Sequence, residues 1–163
     1  MKRQKLYILY SHFWHSTAVI IRYATTDFER IKVSFKNLWN HFDEAGYKVP
    51  TPFLPTPDSL KIIDFGMDNE CERFVIQTFD TEIPEDKFLF GIFEIPRDSN
   101  GEGEMLEICI SKDQAIKRVL MEICDDNTTK VERANYIFEL ENATTLCTDS
   151  FDLWNIIKFK VSD

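Results

Sequence analysis

An apolar stripe between Thr26 and Ala45 is the most regular pattern in the chain. Its side chains recur at spacings of three and four residues, the period of an amphipathic helix. They are Phe28, Ile31, Phe35, Leu38, Trp39 and Phe42. Thr26 and Glu29 have the spacing of a capping box, and Gly46 is a suitable C-terminal stop. The pattern therefore predicts a helix over 26–45 that packs its apolar face on a sheet.

A second helical pattern begins at Ser111. Ser111 and Gln114 form another capping box, and apolar residues follow at helical spacing to about Asp125. They are Ala115, Val119, Leu120 and Ile123. We therefore predict a second amphipathic helix over about 112–125.

Most other apolar runs are rich in aromatic and β-branched residues, which favours strands. The predicted strands cover 6–14, 17–24, 60–65, 73–79, 88–95, 105–110, 136–140 and 153–161. The segment 131–140 is short and mixed, so a helix is an equal alternative there. This order predicts an α+β fold with a mostly antiparallel sheet and two main amphipathic helices.

Two of the predicted strands, 6–14 and 88–95, carry apolar side chains on both faces. Such a strand is either covered on both sides or lends one face to another molecule. Two helices do not suffice to cover both faces of so wide a sheet. We therefore predict a homodimer that buries an aromatic patch between its copies.

The chain has 163 residues, 44% of them hydrophobic, with 14 Phe, 5 Tyr and 3 Trp. This composition excludes a disordered chain, and 5 Gly and 6 Pro exclude a collagen-like one. We expect a single globular domain over 1–163, with an extended connection at 49–58 that holds Pro50, Pro52, Pro55 and Pro57.

Charge is distributed unevenly within the formal net charge of −9. Residues 1–57 hold 8 Lys and Arg against 4 Asp and Glu, whereas residues 58–107 hold 4 against 14. An acidic surface attracts basic partners and speeds their encounter. The net charge also makes nucleic-acid binding unfavourable, although the basic first segment carries interleaved aromatic residues.

The sequence pattern predicts neither a signal peptide nor a membrane-spanning segment. Lys2, Arg3 and Lys5 precede only five apolar residues, fewer than a signal peptide needs, and no run is long enough to span a membrane. Cys109 and Cys124 lie among apolar residues, where a reduced thiol packs well. We therefore expect a soluble, cytoplasmic protein.

Candidate catalytic groups are scattered. His12 and His15 would point to opposite faces of a strand, which is a poor arrangement for one metal ion. The tripeptide at 64–66 reads Asp-Phe-Gly, but the other kinase motifs are missing from the chain. Acidic pairs occur at 70/72, 102/104 and 139/141. Because acidic residues are rarely buried, a solvent-exposed face explains such pairs better than catalysis does. The sequence thus predicts no catalytic residue, metal site or cofactor.

The leading hypothesis is a non-enzymatic module that binds a protein with a basic surface, as inhibitors, immunity proteins and phage anti-defence proteins do. Its predicted contact residues are Asp68, Glu70, Glu72, Glu102 and Glu104. One alternative is a small enzyme that uses an acidic pair and a histidine in a pocket between sheet and helices. Another is a subunit of a larger assembly. A concave pocket with a carboxylate of raised pKa would favour the enzyme, and a flat acidic face the binder.

Overall fold

A computed structural model describes residues 2–13, 18–46, 61–67, 70–99, 103–142, 145–148 and 152–162, with backbone alone at 61–67, 70, 71 and 73. The strands in this part are β1 (Gln4–Phe13), β2 (Val19–Thr25), β3 (Lys61–Met67), β4 (Glu70–Thr81), β5 (Phe88–Ile95), β6 (Glu104–Cys109), β7 (Leu146–Cys147) and β8 (Leu153–Lys160). The helices are α1 (Phe28–Glu44), α2 (Lys112–Ile123) and α3 (Lys130–Asn142). The predicted connection at 49–58 lies outside the described residues.

The strands form two four-stranded antiparallel sheets. The first sheet has the order β2-β1-β4-β3, and the second has the order β6-β5-β8-β7. Each sheet therefore places one long apolar strand, β1 or β5, in an inner position with a partner on both sides. This architecture confirms the predicted α+β class with antiparallel pairing.

The two sheets pack face to face, and helices cover their outer faces. Leu6, Ile8 and Tyr10 of β1 meet Leu89 and Phe93 of β5 in the central cluster. The other face of the first sheet packs on α1, and the other face of the second sheet packs on α2 and α3. The described chain is thus a four-layer sandwich in the order α1, first sheet, second sheet, α2 with α3.

This layering explains why β1 and β5 are apolar on both faces. One set of alternating side chains enters the space between the sheets, and the other set meets a helix. A single chain therefore covers both faces, which removes the reason given above for expecting a partner copy. The homodimer stays a prediction.

Helix α1 follows the predicted stripe, but it begins one residue later than its capping box suggested. Asp27, not Thr26, is the N-cap, and its carboxylate accepts a hydrogen bond of 2.9 Å from the Glu29 amide. Gly46 has φ +86°, a left-handed conformation that suits glycine after the helix. Within the stripe, Ile31 and Phe35 are buried, and the other predicted residues are half-buried against the first sheet.

Helix α2 agrees with the prediction, with Ser111 as its N-cap. The predicted strand at 136–140 is wrong, because these residues lie in α3, and the helical alternative is correct. Leu140 is the one fully buried residue of α3, so this helix has little of the apolar stripe that identified the other two. In the described part of the chain, no helix has the length and apolar character needed to cross a membrane.

Candidate functional site: an acidic face beside Trp154

The five predicted contact residues have different outcomes. Asp68 and Glu102 lie outside the described residues, and Glu70 begins β4 with only its backbone described. Glu72 lies on β4, where its carboxylate accepts a hydrogen bond of 2.8 Å from the Arg22 guanidinium. Glu104 begins β6 and is exposed.

The structure does not bring Glu72 and Glu104 onto one surface. Glu72 shares a strand face with Phe74, whose side chain packs toward α1 on the outer side of the first sheet. Glu104 is paired with Glu94 on the outer side of the second sheet, the side that α2 covers. The two carboxylates therefore lie on opposite outer faces of the sandwich, and their predicted role in partner binding stays untested.

Glu104 belongs instead to a row of residues that crosses the second sheet. In this row Glu104 is opposite Glu94, Glu94 is opposite Trp154, and Trp154 is opposite Leu146. Directly opposed residues in a sheet have Cβ atoms roughly 5 Å apart, so the two carboxylates repel one another. Two like charges are thus adjacent beside a large aromatic side chain.

Two further carboxylates complete this group, which we call the acidic cluster: Glu94, Glu104, Glu122 and Asp152. Burial raises the pKa of the Glu94 carboxyl above its ordinary value, and the charges of Asp152, Glu104 and Glu122 raise it further. Asp152 is held in place because its Oδ1 accepts a hydrogen bond of 2.9 Å from the Arg97 amide. The cluster therefore unites residues from β5, β6, α2 and the segment that enters β8.

The C-terminal end of α2 adds to the negative potential. Glu122 lies in the last turn of this helix, and that turn contains no basic residue. The free carbonyl groups at a helix C-terminus carry partial negative charge, which favours a cation there and disfavours a carboxylate. Among the described residues, Glu94, Glu104 and Glu122 take part in no ion pair. The electrostatic arrangement therefore favours a positively charged group from outside.

A small pocket of about 70 Å³ lies next to the cluster. Ile92, Leu106, Val119 and Trp154 supply its apolar lining, and Glu122 of the acidic cluster also borders it. Arg118, one helical turn before Glu122 on α2, also lines the pocket; it is joined to Glu107 at 2.8 Å, and its charge also acts on Glu122. The pocket is too small for a drug-sized molecule, for which about 300 Å³ or more is usual, but it suits part of one side chain.

Trp154 contributes an unused hydrogen-bond donor. The residue is 5% exposed, and its indole N–H has no acceptor among the described residues. Most buried indole N–H groups find an acceptor, so this exception requires a reason. An acceptor supplied by a binding partner after a small adjustment of the pocket would satisfy it.

A pocket that holds a carboxylate of raised pKa would favour an enzyme, but Glu94, the carboxylate with that shift, is not among the residues that line this pocket. The described histidines do not line it either. His12 is buried beside Phe93 between the sheets, and His41 lies on α1, so neither borders the pocket. Burial raises the pKa of the Cys109 thiol to about 11, which keeps it protonated at neutral pH. No three of the described His, Cys, Asp and Glu side chains are placed to hold a metal ion.

The sequence contained one usable signal for the cluster. Glu94 is next to the last residue of the predicted strand 88–95, and Glu104 directly precedes the predicted strand 105–110. A hairpin across the polar turn between them would have placed the two side chains near one another. Glu122 and Asp152 approach them only through tertiary packing. No family model, no curated protein and no solved structure matches this chain. The functional assignment therefore rests on the geometry of its own residues.

Proposed function

We propose that this protein is a binding module that recognises a basic protein through the acidic cluster. The observation that carries the proposal is the convergence of four carboxylates from separate elements. Burial raises the pKa of Glu94, and the charges of the other three carboxylates raise it further. Holding like charges together costs free energy, and a cationic group placed among them recovers it. An inhibitor of a basic enzyme or of a nucleic-acid-handling protein is the form of this function that the charge favours.

The pocket supports lysine or arginine as the group that the cluster binds. These side chains combine an apolar stem with a charged end. The stem would lie on Leu106 and Trp154, and the charged end would reach Glu94 and Glu104. A carbonyl group of the same partner would accept a hydrogen bond from the Trp154 indole N–H, which has no acceptor among the described residues. Apolar contact, charge and hydrogen bonding would then come from one basic side chain and its own backbone.

The test is an NMR titration of the ¹⁵N-labelled protein with a short peptide that alternates Arg and Gly. We expect shifts at the backbone amides of Glu94, Glu104 and Glu122 and at the Trp154 indole N–H. A peptide with Glu in place of Arg is the ligand control. The double variant Glu94→Gln/Glu104→Gln should lose the shifts.

The matched control is Glu139→Gln/Glu141→Gln, which removes the same charge from exposed positions of α3. It should bind the Arg peptide as the unchanged protein does. Equal losses in both double variants would mean that net charge alone attracts the peptide. No shift at Trp154 in the unchanged protein would remove the pocket from the proposal.

A further inference from the structure

The sandwich is open on the side where β2 and β8 approach one another. The two strands run parallel and meet at one end, where Thr25 bridges to Ser162 and the Ser162 amide donates a hydrogen bond of 2.7 Å to the Ala24 carbonyl. Before this bridge they diverge, and a groove of about 430 Å³ separates them. The groove thus lies where the edge of the first sheet faces the edge of the second.

Both edges have backbone groups that no other described strand pairs with. Within the described chain, β2 pairs with β1 alone, and β7 covers β8 at Leu153 and Trp154 only. Residues 19–23 and 156–160 therefore present one strand edge each to the groove. A free strand edge is a template for an added strand, and here two such edges face the same space.

The side chains along the groove differ between its two faces. Toward the central core, Val19, Ile21 and Ile157 are apolar and half-buried. Toward the outer surface, the groove is bordered by Arg22, Lys158 and Lys160, and none of the described residues that line it is acidic. A strand with alternating apolar and acidic side chains matches both faces, because successive side chains point to opposite sides.

The two lysines are already oriented by an aromatic ring. Lys158 Nζ lies 4.3 Å and Lys160 Nζ lies 5.6 Å from the centre of the Phe88 ring. Phe88 lies on β5, beside the edge of β8 that faces away from the groove, and it does not line the groove, so the two charged ends leave the ring when they meet an acidic strand. Arg22 on the opposite side is the extra residue at the irregularity in the β1–β2 ladder, and its guanidinium is already paired with Glu72 at 2.8 Å. Lys158 and Lys160 are therefore the described cations left to attract an acidic strand.

We propose that an extended acidic segment of a partner protein adds as a strand between β2 and β8. Running antiparallel to both, it would join the two sheets into one continuous sheet. A second copy of this chain fits less well, because pairing the same edge with itself would bring its lysines together. The groove contains no residue of the acidic cluster, so this site is independent of the function proposed above.

The probe is a short fluorescent peptide that alternates Val and Glu, with binding measured by anisotropy and located by amide hydrogen exchange. We expect new protection of amides within 19–23 and 156–160. The variant Lys158→Glu/Lys160→Glu should weaken binding about tenfold or more, and Lys158→Gln/Lys160→Gln should weaken it less. Lys117→Glu/Lys130→Glu, which changes exposed helix lysines to the same extent, should bind normally.

Two control peptides test the mode of binding. Replacing Glu by Lys in the peptide should abolish binding, and N-methylation of alternate peptide amides should do the same because it blocks strand pairing. Equal binding of the N-methylated peptide, or protection elsewhere in the protein, would overturn the proposal. Displacement of the peptide by a single-stranded oligonucleotide that depends on the same lysines would also overturn it, in favour of nucleic acid.

Discussion

On the outer side of the first sheet, Glu72 of β4 and Glu29 of α1 are each paired with a basic side chain, whereas on the outer face of the second sheet Glu107 has such a pair but Glu94 and Glu104 lie together. Glu72 lies 2.8 Å from Arg22, and Glu29 lies 2.6 Å from Lys32. On the other face, Glu94 and Glu104 oppose one another, with Glu122 nearby. The balance between acidic and basic side chains therefore differs from one face of the protein to the other, which the net charge of −9 does not reveal.

Paired and unpaired carboxylates also differ in what they contribute to stability and to binding. A paired carboxylate contributes little to stability at a surface, but it is already satisfied and has little to gain from a partner. A carboxylate among like charges lowers stability and gains free energy when a cation arrives. The acidic cluster therefore stands to gain free energy from a cation, as the proposed function requires, whereas the Glu72–Arg22 pair is already satisfied within the chain.

The largest expected effect tests the packing of the first face. Phe35→Ala should lower the free energy of unfolding by about 3–5 kcal/mol, because Phe35 is 3% exposed beneath α1. Lys36→Ala, one position along on the exposed side, should cost less than about 0.5 kcal/mol. Trp39→Ala should fall between them, since Trp39 is half-buried. Denaturant titration measures all three, and equal losses at Phe35 and Lys36 would contradict the assigned face.

A smaller loss should come from the contact between the sheets. A Cβ atom at Gly103 would lie 2.5 Å from the Phe93 ring, so Gly103→Ala should cost about 1–3 kcal/mol. Gly91→Ala should cost less, because its nearest neighbour, at 2.9 Å, is the flexible end of Met105. Thermal unfolding of the two variants distinguishes them. A larger loss at Gly91 would show that the second sheet is packed differently.

Association kinetics compare the two acidic faces directly. With a basic partner captured from the native host and identified by mass spectrometry, Glu94→Gln/Glu104→Gln should slow association about tenfold at low salt. Glu72→Gln should change it little. The difference should shrink as salt rises, since the Debye length falls from about 10 Å at 0.1 M to about 3 Å at 1 M. Surface plasmon resonance across a salt series measures this, and salt-independent association would contradict the electrostatic account.

The smallest effect concerns pH. Because the pKa of Glu94 is raised above its ordinary value of 4.5, the folded protein binds this proton more tightly than the unfolded chain. The protonated carboxyl therefore favours folding at low pH, and this contribution is lost as pH rises through the raised pKa. Glu94→Gln stays neutral, so it should be more stable than the unchanged protein at pH 7, by less than about 1 kcal/mol.

The control for this prediction is Glu139→Gln on the exposed side of α3. It should leave the free energy of unfolding at pH 7 unchanged within about 0.5 kcal/mol. Below about pH 4 the gain in Glu94→Gln should disappear, because the carboxyl of the unchanged protein is then protonated. A variant that is less stable than the unchanged protein at pH 7 would show that Glu94 is not destabilised by its neighbours.

Most elements of the fold follow from local pattern. Strand β5 occupies the residues predicted for it, and α1 and α2 follow stripes that any amphipathic helix would show. Helix α3 escaped a firm prediction because Leu140 is its one fully buried residue. The two-residue strand β7 is too short to leave a periodic signal.

The sequence by itself determined most of the elements, the antiparallel α+β class and the surplus of acid in the middle of the chain. Only the tertiary structure decided that the strands form two sheets, because a strand apolar on both faces is satisfied by helices on either side or by a second sheet. It also decided which acids lie together. Glu94, Glu122 and Asp152 are far apart in sequence, and charge acts through distance in space, which the folded sheet and α2 set.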